Sequence, residues 1–133
     1  MIENAEKQPA YAQFLGLKIT HLSPERVTAE LFARPEFNNR HGIMHGGAIM
    51  SLADNLGGTA TTANLKPGQT TATIESKTNF FAAIPIGDTA TAECTPLHRG
   101  SRTMVWQTKI TRSDGRLAAI VTQTQMVLES RGR

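Results

Sequence analysis

One carboxylate and one imidazole carry the ionisable chemistry of a long apolar stretch. From Gly42 to Leu65 the sequence reads GIMHGGAIMSLADNLGGTATTANL, in which His45 and Asp54 are the only ionisable side chains. An isolated carboxylate on an apolar helix is costly to desolvate, and desolvation raises a carboxyl pKa toward neutrality. Such a group suits general-base attack of water on an acyl carbon, or acts as the nucleophile itself. Hydrogen bonds to Asn or Thr neighbours would instead give Asp54 a structural role, and the local pattern leaves both readings open.

His45-Gly46-Gly47 falls where a loop becomes that helix. The first N–H groups of a helix lack internal partners and sit at the positive end of its dipole, so glycines there let a carbonyl oxygen approach bare donors. That is the geometry of an oxyanion hole, although the glycines would equally serve a tight turn. Beside such a hole His45 would orient the donor loop or the substrate carbonyl; otherwise it is an ordinary partly buried histidine. His41 and His45, at i, i+4 with an acid nearby, also resemble part of a zinc site. Gly42 and the Gly46-Gly47 pair place His41 in the loop rather than on the helix, and no third strong ligand is near. No metal or other cofactor is expected.

Periodicity supplies the elements that position these residues. Starting near Gly46, Ile49, Leu52, Ala53, Leu56, Ala60 and Ala63 fall on one stripe at helical spacing, and Lys66-Pro67-Gly68 ends the run. About 20 residues give roughly 30 Å of helix. The opposite row, Met50, Asp54, Gly57, Gly58 and Thr61, lacks the Lys and Glu of a solvent face and is expected to be covered by another subunit or a ligand. Ahead of this helix a short one is expected around Ala10 to Leu15, then a hairpin of Leu17 to His21 and Arg26 to Ala33 about Ser23-Pro24. Behind it come four long extended runs, Thr71 to Ala82, Asp88 to His98, Ser101 to Arg112 and Arg116 to Leu128, separated by Pro85 to Gly87, Arg99-Gly100 and Asp114-Gly115. Connections this short predict antiparallel neighbours. The sum is an α+β chain, a curved antiparallel sheet with one long helix. Ala90, Ala92, Cys94 and Pro96 share one face of their strand and leave room for that helix. Cys94 reads as a core filler rather than a nucleophile, and Met104, Trp106 and Ile110 as packing.

At 133 residues the chain is sized for one domain, residues 1–133, with one core and little room for a self-contained cleft. No apolar run approaches the roughly 20 residues of a membrane span, and the opening MIENAEKQPA lacks the apolar stretch of a signal peptide. Cys94 is the only cysteine, which fits a reducing compartment. The expected location is the cytoplasm, without a membrane partner. The net charge of +3 has its source in the last third, where seven Lys or Arg between Arg99 and Arg133 face two acids, Asp114 and Glu129. Lacking interleaved aromatics, these residues do not point to nucleic acid. A small polyanion such as a nucleotide phosphate, or an ordinary solvated basic face, accounts for them.

Asn39, His45-Gly46-Gly47, Leu52-Ala53-Asp54 and the small-residue helix resemble the hotdog-fold acyl-CoA thioesterases, in particular the phenylacetate-degradation type with Asp at this place. The segment PLHRGSRTMVWQTKITRSDGRL from Pro96 to Leu117, with VLE at Val127 to Glu129, is similar to the menaquinone- and enterobactin-pathway thioesterases, whose helix acid is Glu. The resemblance covers nearly the whole chain from Leu15. It implies a sheet wrapped around the central helix, a homodimer about a two-fold axis and often two such dimers in a tetramer. It further implies that the Gly46 N–H polarises the thioester carbonyl, that Asp54 is base or nucleophile, and that His45 and Asn39 help place carbonyl and water. Gly100, Ser101 and Arg102, with Arg99 nearby, match the turn that meets the CoA nucleotide. Where relatives often have Ser or Thr four residues after the acid this chain has Gly58, followed by Thr59, and where one branch has Ser it has Thr73. Thr73 and Thr59 are therefore the candidate hydroxyls for water or leaving group.

The implied activity is hydrolysis of an acyl-CoA, with an aromatic or medium-chain acyl group, to free acid and CoA. Phe80, Phe81, Met50 and Leu56 are candidate acyl-pocket residues, each also explicable as core. A dehydratase or hydratase on the same fold would carry a different His-containing loop and acid. A non-catalytic acyl-CoA-binding or regulatory protein would keep the pocket but could dispense with the acid that Asp54 supplies. Spacing alone also bears on assembly. Gly46 and Asp54 are eight residues apart, about 12 Å of helical rise, yet both must come within roughly 3 Å of one reacting centre. One helix cannot place them there; an antiparallel second copy can, which creates two equivalent sites.

Overall fold

Alternating strands and one long amphipathic helix assemble much as the periodicity predicts. The computed structural model describes residues 1–129; Arg131 and Arg133, counted above in the basic excess, lie outside the described residues. The order is α1 (Ile2–Glu6), α2 (Ala10–Leu15), β1 (Lys18–Ser23), β2 (Arg26–Phe32), a 3-10 turn at Pro35–Phe37, α3 (Gly46–Asn64), β3 (Gln69–Phe80), β4 (Thr89–Arg99), β5 (Thr103–Thr111) and β6 (Leu117–Glu129). The six strands form one antiparallel sheet in the order β1-β2-β4-β5-β6-β3, curved so that α3 packs against all six of them.

That strand order corrects one expectation. β3 and β4 are consecutive in the chain but are not neighbours: β3 pairs with β6 at the sheet's edge, and β4 lies between β2 and β5. The residues between them form no tight hairpin because they are bound elsewhere. The Met44 N–H donates to the Ile84 carbonyl at 2.7 Å, Ile43 bridges Pro85, and the Phe81 N–H donates to the Ala118 carbonyl at 2.7 Å. The connection thus crosses the end of the sheet beneath the loop that precedes α3.

The helix stripe Ile49, Leu52, Ala53, Leu56, Ala60 and Ala63 is buried as expected. Two residues assigned to the opposite row are buried as well. Thr61 returns its hydroxyl proton to the Gly57 carbonyl at 2.8 Å and accepts from Trp106 Nε1 at 2.8 Å. Gly57 lies so close to β6 that a Cβ there would stand 2.2 Å from the Gln123 amide carbon. A helix held against six strands buries a wider arc than a single stripe. Leu56, a candidate pocket residue, is fully buried in this core.

Ala90, Ala92 and Cys94 are fully buried in that core. Burial pushes the Cys94 thiol up to about 12, which keeps it protonated and unreactive. Met104, Trp106 and Ile110 are packing residues, as expected. The helix α1 was not foreseen: its polar sequence buries only Ala5, and its place comes from packing on α3. No helix among the described residues is long and apolar enough to cross a membrane.

Candidate active site

The first turn of α3 holds one bare donor. His45 is the N-cap, and its Nδ1 accepts the Gly47 N–H at 2.8 Å, an arrangement in which a neutral ring carries its proton on Nε2. The Ala48 and Ile49 N–H groups both donate to the His45 carbonyl, at 2.9 and 3.4 Å. Among the described residues the Gly46 N–H has no partner. A Cβ at Gly46 would stand 3.1 Å from the Phe80 ring, a tight contact that only a small shift of that exposed ring would relieve. Asn39 closes the loop that leads into the helix: its Oδ1 accepts the His41 N–H at 2.6 Å and the Ile43 N–H at 3.4 Å. His41 itself is exposed and lies ahead of the helix, so it does not share a helical face with His45. Asn39, Gly46, Ile49, Phe80 and Phe81 line a mainly apolar cavity of about 370 Å³.

Asp54 sits two turns further along α3 and is exposed. The apolar enclosure expected around it is not furnished by this chain. The helix side it occupies faces β3, an edge strand that is largely exposed itself, and among the described residues no further strand lies beyond it. Thr73 Oγ1 donates to Asp54 Oδ1 at 2.8 Å, and Gln123 Nε2 stands 3.4 Å from both that oxygen and the Asp54 carbonyl. Asp54 Oδ2 has no hydrogen bond among the described residues. The register of β3 explains why Thr73 reaches the helix. Thr73 opposes Gln125 and Glu75 opposes Thr124, leaving Ile74 as an unpaired bulge, a device that re-aims side chains beside functional sites. Asp54 lines two cavities, one of about 260 Å³ with Asn55, Gly58, Thr73, Asn4 and Lys7, the other of about 460 Å³ with Tyr11, Met50, Ser51 and Ser76.

The candidates therefore fall into separate groups within one chain. Asn39 and Gly46 share a cavity that does not include Asp54, while His45 caps the same helix end. Thr73 touches Asp54 directly. Thr59 is buried, accepts from Gln8 Nε2 at 3.2 Å and lines the cavity that also holds Lys7. The four residues matched to the nucleotide form the β4–β5 turn beyond the other end of α3. There the Gly100 N–H donates to the Thr103 carbonyl at 2.9 Å, and Ser101 and Arg102 are exposed. Arg99 is tied in place, donating to the Pro24 carbonyl at 3.3 Å and Asn64 Oδ1 at 3.4 Å and lying 3.9 Å from Glu25. Arg102 makes no side-chain hydrogen bond or ion pair among the described residues. Asn64 is ten residues from Asp54, about 15 Å along the helix. The basic excess is split, since Arg112 lies at the opposite end of β5, where its guanidinium holds the Asp114 carboxyl below the usual range.

Sequence reasoning passed over Lys7, Thr71, Ser76, Gln123 and Gln125. The last two had a signal. In Val121-Thr-Gln-Thr-Gln125 the two glutamines continue the inward-facing alternation of Ala119 and Val121, a place where polar side chains need partners.

Residues 41–119 match the model of the thioesterase superfamily. The 1,4-dihydroxy-2-naphthoyl-CoA hydrolase of Escherichia coli is 28% identical over 125 residues, 94% of this chain and 91% of that protein. The solved structure of AziG from S. sahachiroi superposes with a TM-score of 0.88 at 27% identity, covering 92% of this chain and 99% of that one. The E. coli PaaI protein of the phenylacetic acid degradation operon gives a TM-score of 0.87 over 96% of this chain and 91% of its own; at 22% identity it speaks to the fold alone.

Proposed function

The chain belongs to the thioesterase superfamily as a hotdog-fold thioester hydrolase, and from that premise we propose that residues 1–133 act as one catalytic domain on an acyl-CoA with an apolar, aromatic or medium-chain acyl group. The observation that carries this reading is the state of Asp54: one carboxylate oxygen is anchored by Thr73 and the other is free on an open surface. The bare Gly46 N–H beside an apolar cavity with two phenylalanines suits a thioester carbonyl with its acyl group alongside.

In this reading Asp54 Oδ2 takes a proton from water as the water oxygen bonds to the acyl carbon. The electron pair of the carbonyl moves to its oxygen, which the Gly46 N–H stabilises with help from Asn39. Collapse of the tetrahedral adduct breaks the C–S bond, and the proton passes from Asp54 to the thiolate, giving free acid and CoA. His45 contributes by holding the first turn through Gly47.

The cavity that Gly46 lines does not include Asp54, and the two stand about 12 Å apart along a continuous helix. Each site would therefore combine the helix start of one copy with Asp54 of another, in a homodimer that a second pairing extends to a tetramer. β3 supports this as the meeting surface. It is an edge strand exposed on both faces, and Ile74, Phe80 and Phe81 are each more than half exposed. Unpaired edges and grouped exposed apolar side chains are surfaces that another chain covers.

Thiol release from a panel of acyl-CoAs, aromatic and straight-chain, tests the reading. Turnover that favours apolar acyl groups is expected. Tight binding without turnover would make this a binding protein instead. For the nucleotide, Arg102 is the freer of the two turn arginines, and the turn lies beyond Asn64, about 15 Å along the helix from Asp54. Arg102→Ala should raise KM for CoA esters several-fold and weaken its dependence on salt, while leaving a short thioester without the nucleotide unaffected. Equal losses on both substrates, measured by steady-state kinetics, would remove Arg102 from the nucleotide site.

A further inference from the structure

Two buried glutamines beneath Asp54 have no part in the chemistry above. Gln123 is 0% and Gln125 1% exposed, and neighbouring strands leave their amides few partners. Gln125 Nε2 donates to Thr73 Oγ1 at 2.5 Å, and Thr73 Oγ1 donates to Asp54 Oδ1 at 2.8 Å. On the far side of the amide, Thr71 Oγ1 stands 3.0 Å from Gln125 Oε1. A continuous line of hydrogen bonds therefore runs Thr71, Gln125, Thr73, Asp54.

The direction of this line follows from counting protons. An ionised carboxylate only accepts, and a hydroxyl has one proton to give. Thr73 must spend that proton on Asp54, so the remaining bond at its oxygen has to be donated to it. The amide nitrogen of Gln125 is the donor within reach. With its nitrogen turned to Thr73, Gln125 presents its oxygen to Thr71, whose single hydroxyl proton is shared between Gln125 Oε1 at 3.0 Å and the Met126 carbonyl at 2.9 Å. Ionised Asp54 thus dictates one orientation of the Gln125 amide, and that orientation in turn commits the Thr73 proton to Asp54 Oδ1. The bulge at Ile74 and the direct opposition of Thr73 to Gln125 across β3 and β6 build this line into the sheet.

We propose that Gln125 is a positioning residue for hydrolysis, acting through Thr73 to hold Asp54 Oδ1 as an acceptor so that Oδ2 is the oxygen presented to water. This rests on Asp54 being the base in the proposed function. Without the amide donor, the Thr73 hydroxyl is free to turn away and only the long 3.4 Å contact from Gln123 Nε2 remains on Oδ1, so the carboxylate can rotate about its Cβ–Cγ bond and meets water in fewer productive orientations. Binding of the acyl-CoA does not pass through this line, so the loss belongs to kcat.

Gln125→Met and Gln125→Leu each fill much of the same volume without a donor. Each should lower kcat about tenfold or more with KM changed less than about twofold. Thr73→Val should show a similar loss, and the double variant Thr73→Val/Gln125→Met should be no slower than Thr73→Val alone, because both changes cut one line. A folded Gln125 variant with unaltered kcat, or losses that multiply in the double variant, would overturn the proposal. Should Gln125→Met not fold, Gln125→Leu gives the same reading. Asp54→Asn assayed alongside separates the two levels: if it stays active, Asp54 is not the base, whereas if it is inactive and Gln125→Met is normal, only the positioning role fails.

Discussion

Asp54→Asn should lower turnover by two or more orders of magnitude and leave the fold intact. The substitution keeps the side chain's size and an acceptor oxygen for Thr73, whose hydroxyl lies 2.8 Å from Oδ1, but it removes the basicity that draws a proton from water. Loss of a general base costs roughly 10²–10⁴ in rate. Because Asp54 is exposed in the chain, no buried charge is lost and the melting temperature should move little. Steady-state kinetics with a thermal melt on the same preparation checks both halves. A folded Asn variant with near-normal turnover would remove Asp54 from the chemistry.

Mixing two inactive proteins should restore activity if each site is shared. His45→Ala releases the cap on Gly47 and disturbs the donor at Gly46; Asp54→Asn removes the base. When subunits exchange, a mixed dimer has one doubly damaged site and one that is intact. Random exchange makes half of the dimers mixed, with half of their sites working, so about a quarter of wild-type activity should return. Mass spectrometry confirms the mixed dimers. Their presence without any recovery, from parents that are nearly inactive, would refute the shared site and return the whole chemistry to a single chain.

Much of the scaffold could be read from periodicity because each element has its own local pattern. α3 follows from its apolar stripe, and β4 from the alternation of Ala90, Ala92 and Cys94 with polar residues. The position of β3 could not be read this way. Its pairing with β6 is a long-range register, and the loop residues that seem to promise a hairpin with β4 are bound instead to the segment before α3. At the candidate site, the types and spacing of His45, Gly46 and Asp54 point to α3, but the surroundings of Asp54 differ from those an apolar helix suggests. The missing cover is a matter of which elements lie beyond β3, and one chain's sequence does not encode that locally. Gln125 was legible only as a polar residue at an inward position; its link to Asp54 required knowing that Thr73 stands opposite it.

The pairing of β3 with β6 also sets the order in which this protein becomes itself. Gln69 opposes Glu129 and Phe80 opposes Ala119, so a strand made early waits for the strand made last, while β4, β5 and β6 find one another through short turns. Closing so long a loop has an entropic cost that nearby contacts do not offset until the final strand docks. A chain still emerging from the ribosome therefore holds Asp54 and Thr73 well before Gln125, the residue that opposes Thr73 across β3 and β6, has been made. The same asymmetry operates in the folded molecule. An opening confined to the outer β3–β6 seam would part Thr73 from Gln125 while the helix and the inner strands stay packed.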